Sequence, residues 1–93
     1  MILHKTYTSI KQAITNNNIE DALMQLESSL QNYPDDANLY YLKGLAHIKL
    51  SQWHDALSCF KTSEHINYNE AASASRVMVE RIFNFYNKDM YNP

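Results

Sequence analysis

A chain of 93 residues, 45% hydrophobic and 19% charged, has the length of one small domain and the composition of an ordinary globular one. One Gly and two Pro are too few for the turns of a β-rich fold, which leaves a few long helices joined by short connections. The net charge of -2, with eight Lys and Arg scattered along the chain, argues against a nucleic-acid surface, and no run approaches the ~18 apolar residues of a membrane span.

The first predicted helix covers Met1 to Thr15, where Leu3, Tyr7, Ile10, Ala13 and Ile14 recur at helical spacing. Its start lacks the basic-then-apolar order of a secretory signal, so the cytoplasm is the expected compartment. Asn16-Asn17-Asn18 ends this helix. Asn18 is placed to cap a second one, with Glu20 and Asp21 near the positive end of its dipole. Ile19, Leu23, Leu26 and Leu30 form its apolar stripe, and it must end before Pro34. Asp35-Asp36 then caps a third helix, Ala37 to Leu50. Gly44 sits in its middle, where Gly costs about 1 kcal/mol relative to Ala. Such a glycine has either a packing reason, a facing helix close to its bare backbone, or no role beyond being tolerated.

Ser51-Gln52 is a short turn into a fourth helix, Trp53 to Ile66, with Trp53, Ala56, Leu57 and Phe60 inward. Asn67-Tyr68-Asn69 breaks the pattern. A fifth helix spans about Glu70 to Tyr86, and Asn87 to Pro93 reads as a tail. Apolar residues cover more than one face of the fifth helix, whereas a cap should have a polar outer side. Val79, Ile82, Phe83, Phe85 and Tyr86 are therefore a candidate interface, and the tail with Tyr91 is expected to be ordered, on the domain or on a second molecule.

Self-comparison gives the strongest signal. Ile19-Glu20-Asp21-Ala22-Leu23 recurs as Trp53-His54-Asp55-Ala56-Leu57, an offset of 34 residues. The same offset pairs Tyr7 with Tyr41, Ile14 with Ile48 and Leu26 with Phe60. A period of 34 residues built from two helices is the signature of tetratricopeptide repeats. Tyr40, Gly44, His47, Ala56 and Phe60 fall on that family's aromatic-Gly-aromatic and Ala-x3-Phe spacing, with Lys43 at its Leu position and Tyr68 at its Pro position. The chain thus resembles a tetratricopeptide-repeat protein over Leu3 to Tyr86. It also resembles short bacterial single-domain members that end in a tail of the type Phe85 to Pro93. The expected fold is all-α: two helix-turn-helix repeats, about 3–36 and 37–70, a capping helix to about 86, and a tail at 87–93, in one domain.

The resemblance implies a concave groove lined by the first helix of each pair. Its residues would be His4, Tyr7, Lys11 and Ile14, then Asn38, Tyr41, Leu45, Ile48 and Lys49, continued by Ser75, Val79, Ile82 and Phe83. It implies an adaptor or scaffold that binds a partner protein or peptide, with dimerisation through the last helix as the alternative. Relatives encoded beside 2-oxoacid:ferredoxin oxidoreductase subunits make such subunits one partner suggested by association. One subclass grips C-terminal carboxylates with a Lys/Asn/Lys/Arg clamp. Of the positions that would carry it, Tyr7, Lys11, Leu42, Ala72 and Arg76, Tyr7, Leu42 and Ala72 lack suitable side chains, so capture of that kind is not expected.

Catalytic or metal chemistry finds little in the sequence. His4, His47, His54 and His65 include no pair at the spacing that puts two ligands on one helix face. His47 reads as a core aromatic. Cys59 lies beside Phe60 inside a helix, with no Gly-rich elbow, and reads as a small hydrophobe. Glu20, Asp21, Asp35, Asp36, Asp55 and Glu70 stand at helix starts, where capping and the dipole account for them. No catalytic, cofactor or metal site is expected.

Overall fold

The apolar spacing becomes five helices among the described residues: α1 (Ile2–Thr15), α2 (Ile19–Asn32), α3 (Ala37–Lys49), α4 (Trp53–Ile66) and α5 (Glu70–Tyr91). The structure, a computed structural model, describes the backbone of residues 2–91 and the side chains from His4 to Phe85. No strand occurs among the described residues. α1 packs on α2 and α3, α2 on α3, α3 on α4, and α5 along α4.

The turn within each helix pair closes in the same way. Asn17 and Ser51, one offset apart, adopt the left-handed region at φ 65° and 57°. Asn17 N–H donates to the Ile14 carbonyl at 3.0 Å and Asn18 N–H to Ala13 at 2.8 Å. Ser51 N–H donates to Ile48 and Gln52 N–H to His47, both at 2.9 Å. These paired bonds satisfy the last carbonyls of α1 and α3 and reverse the chain tightly. Asn18 precedes α2 as expected, but its side chain makes no capping bond; its carbonyl accepts from Ala22 N–H at 3.0 Å. His47 is half-buried rather than a core aromatic, and its Nδ1 lies 2.6 Å from Gln52 Oε1.

The connections between pairs are capped by side chains. Asp36 Oδ1 accepts from Leu39 N–H at 3.0 Å at the start of α3, and Asn69 Oδ1 accepts from Ala72 N–H at 2.7 Å at the start of α5. Fully buried Ser63 joins the two regions: its hydroxyl donates to the Ala37 carbonyl at 2.8 Å and accepts from Asn69 Nδ2 at 3.4 Å. The connection over residues 33–36 is one residue longer than that over 67–69. That single residue sets which face α5 turns inward.

Two apolar clusters make the core. Ile10, Ala13, Ile14, Ile19, Ala22, Leu26, Leu39, Leu42 and Ala46 join α1, α2 and α3. Ala56, Phe60 and Val79 join α4 to α5, with Tyr41, Leu45, Ile48, Trp53, Leu57 and Phe83 packed against them. Ala22 and Ala56 are both fully buried and let their helices approach closely. Phe60 lies over Gly44. A Cβ at Gly44 would stand 2.7 Å from Phe60 Cδ1 and 2.8 Å from Cζ, so the glycine is the space the ring occupies. Trp53, expected inside, is half-buried at the end of this cluster.

α5 extends beyond the expected end at Tyr86, and residues 87–91, read as tail, continue it. The side chains of Tyr86 and of the tail lie outside the described residues. At about 1.5 Å per residue, the 22 residues of α5 reach past the 14 of α4.

Candidate functional site: the face of α1, α3 and the start of α5

Tyr7 and Lys11 of α1, Asn38 and Tyr41 of α3, and Asn69 and Ala71 at the start of α5 line one pocket of about 320 Å³. Four of the residues expected to line a groove, Tyr7, Lys11, Asn38 and Tyr41, therefore meet here. α1 and α3 bring them together because Tyr7 and Lys11, and Asn38 and Tyr41, each lie one helical turn apart on one face.

Tyr7 is tied down. Its hydroxyl donates to Asp36 Oδ2 at 2.5 Å, across 29 residues of sequence. Burial, then the bond to Asp36, pushes its phenol above the ordinary value of 10.0. The carboxylate of Asp36 thus serves two elements, capping α3 through one oxygen and holding α1 through the other. Tyr41 leans on Phe60, with ring centroids 5.9 Å apart and planes tilted by 45°. Its half-buried ring is partly a support of the core and partly wall of the pocket. Lys11 and Asn38 are exposed, and the Asn38 side chain is hydrogen-bonded to the Tyr7 phenol.

The remaining expected residues divide. Leu45 and Ile48 are half-buried and continue the α3 wall beyond Tyr41, and Lys49 is exposed at its end. Ile14 does not belong to the groove. It is only 6% exposed and packs in the core with Ile10 and Ile19.

The fifth helix needs a larger correction. Carrying the 34-residue offset into α5 puts Val79 and Phe83 on the groove or at an interface. Val79 is instead fully buried against Ala56 and Phe60, and Phe83 packs on the same cluster. The shorter second connection makes the true offset from α3 to α5 33 residues, matching buried Leu39 and Ala46 to buried Ala72 and Val79. One residue rotates a helix by about 100°. Ser75 and Ile82 are half-buried; Phe85, expected at an interface, is 73% exposed. Arg76 is engaged on the other flank of α5, where it pairs with Glu64 of α4 at 2.5 Å and with Glu80 at 2.8 Å. It is thereby committed to tying α5 to α4.

The larger hollow, about 470 Å³, lies between α4 and the middle of α5 and is lined by His54, Leu57, Glu80, Phe83 and Asn84. The His54 and Phe83 rings meet edge to face there at 6.1 Å. One imidazole and one carboxylate that pairs with Arg76 supply no set of convergent groups, so the smaller pocket is the better candidate despite its size. Cys59 is buried, and burial pushes its thiol up, which disfavours the thiolate a nucleophile needs. Among the described residues no three His, Cys, Asp or Glu side chains are grouped to hold a metal ion, and no helix is long and apolar enough to cross a membrane.

No protein-family model and no solved structure matches the chain.

Proposed function

We propose that the protein is a protein-interaction adaptor of the tetratricopeptide-repeat kind, which holds a segment of a partner protein against the face of α1, α3 and the start of α5. The observation that carries this reading is the pocket itself. Two tyrosines one offset apart, an amide and a lysine converge on it from α1 and α3, beside the Asn69 cap and Ala71 of α5. Tyrosines offer large contact area with a polar tip, and exposed Lys11 adds a mobile donor, the composition of a binding surface rather than a reaction centre. The identical turns at Asn17 and Ser51 support the repeat reading. On this account the protein is no enzyme and works in the cytoplasm.

A tagged chain should retain one partner from lysate of the native host, and Tyr41→Ala with Leu45→Asp should lose it while the helical far-UV spectrum persists. Both residues also pack on the core, so Asn38→Trp, which fills the pocket from an exposed position, is the companion variant. Retention by all variants would contradict the reading. A second reading, dimerisation through α5, is favoured by the exposure of Met78 and Phe85, 44% and 73%. Light scattering at micromolar concentration separates the two: the adaptor is a monomer, the self-associating module a dimer.

A further inference from the structure

We infer that Ser63 and Glu64, neighbours on α4 that do not line the pocket, are its positioning residues: they set where its third wall, the start of α5, stands against α3. This role rests on the adaptor reading and deepens it. The walls from α1 and α3 share the larger apolar cluster, with Ile10, Leu39 and Leu42 inside it. The wall from α5 has no such support. α5 packs chiefly along α4 and reaches the core through Val79 and Phe83, and Val79 stands about 12 Å along the helix from Ala71. Before Arg76 the helix offers only Glu, Ala and Ser, and of these Ala72 alone is buried. Such short side chains bring little apolar area to hold a helix end.

Polar bonds hold it instead. The Ser63 hydroxyl donates to the Ala37 carbonyl at 2.8 Å and accepts from Asn69 Nδ2 at 3.4 Å. Ala37 directly precedes Asn38, and Asn38 and Asn69 both line the pocket. One fully buried hydroxyl thus fixes the spacing between two of its sides. Burying a hydroxyl is unfavourable unless it is bonded, so these two bonds are what Ser63 adds over an alanine. Asn69 passes the restraint into the helix, its Oδ1 accepting from Ala72 N–H at 2.7 Å. One turn beyond Ala72, Arg76 Nε donates to Glu64 Oε1 at 2.5 Å, with the two side chains 27% and 16% exposed. That partly shielded pair fixes the rotation of α5 about its axis, and with it the direction of Ala71. A site whose wall lacks apolar backing depends on residues behind it for its shape.

Amide hydrogen exchange of the full chain reads the wall with no partner present. Ser63→Ala should speed exchange from Ala72 to Arg76 by at least about tenfold, and leave Val79 to Phe83 nearly unchanged. Asn69→Asp keeps the acceptor for Ala72 N–H but has no N–H for Ser63, and it should act in the same way. Val79→Ala should show the opposite pattern, with the faster exchange between Val79 and Phe83. The second arm uses the host protein that the wild-type chain retains from lysate. Its affinity should fall by at least about tenfold with Ser63→Ala and with Glu64→Gln, and persist with Val79→Ala. Unchanged exchange at the start of α5 in Ser63→Ala would overturn the inference. So would full retention by Ser63→Ala and Glu64→Gln, or an equal loss with Val79→Ala, which would make general loosening of α5 the cause. The adaptor reading fails by a different result, retention by Asn38→Trp and by Tyr41→Ala with Leu45→Asp.

Discussion

The Phe60 ring fills the volume that a side chain at position 44 would need. Two effects compete in Gly44→Ala. Helix propensity favours the alanine by about 1 kcal/mol, and overpacking a closed core costs about 1–3 kcal/mol. Phe60 is fully buried, so its ring cannot swing away freely and overpacking should win. Urea unfolding should show Gly44→Ala less stable by about 1 kcal/mol, with Phe60→Leu in the same chain recovering part of the loss. An increase in stability would mean the helices separate easily. Tyr7 gives a second test, this one dependent on pH. Its folded phenol is raised above 10.0, so above that pH the folded state holds a proton that the unfolded state has released. The contribution is fully present below the unfolded value and is lost as pH rises through the folded one. Tyr7→Phe should cost about 1 kcal/mol near neutral pH by removing the bond to Asp36. It should also flatten the alkaline fall in stability. Both residues could be named from the chain alone, Gly44 as a glycine needing a reason and Tyr7 as a repeat partner of Tyr41. The bond from Tyr7 to Asp36 could not, because helical periodicity says nothing of contacts across 29 residues.

Helix limits were legible wherever a breaker marks them. Asn16-Asn17-Asn18, Pro34 with its aspartates, and Asn67-Tyr68-Asn69 bracket α2, α3 and α4 within a residue. No breaker stands at Tyr86, and α5 runs on to Tyr91. Its inward face departs from the 34-residue offset for a related reason. An offset of 34 holds between the first four helices, but the missing linker residue turns α5 by one position, and periodicity within a helix cannot reveal a rotation between helices. Thermal denaturation can rank the two registers. Val79→Ala should cost about 2 kcal/mol, the loss of two buried methyl groups with some cavity, and Met78→Ala about 0.5 kcal/mol or less. The reverse order would restore the 34-residue register.

At the scale of the molecule, α2 and α4 supply most of the acidic helix surface while α1 and α3 supply lysines and the pocket. Much of that pocket was legible because Tyr7, Lys11, Asn38 and Tyr41 sit on repeating helix positions. Asn69 and Ala71 were missed, since they enter through the cap and first turn of α5, whose placement depends on the shorter connection. The most direct measurement of the central claim is the amide spectrum of the isotope-labelled chain, recorded by nuclear magnetic resonance as its captured partner is added. The account predicts the largest shifts at Tyr7, Lys11, Asn38, Tyr41 and Ala71, with Glu20, Met24 and Glu27 on α2 unmoved. Shifts concentrated on α2, or confined to the stretch of α5 beyond Phe83, would contradict it.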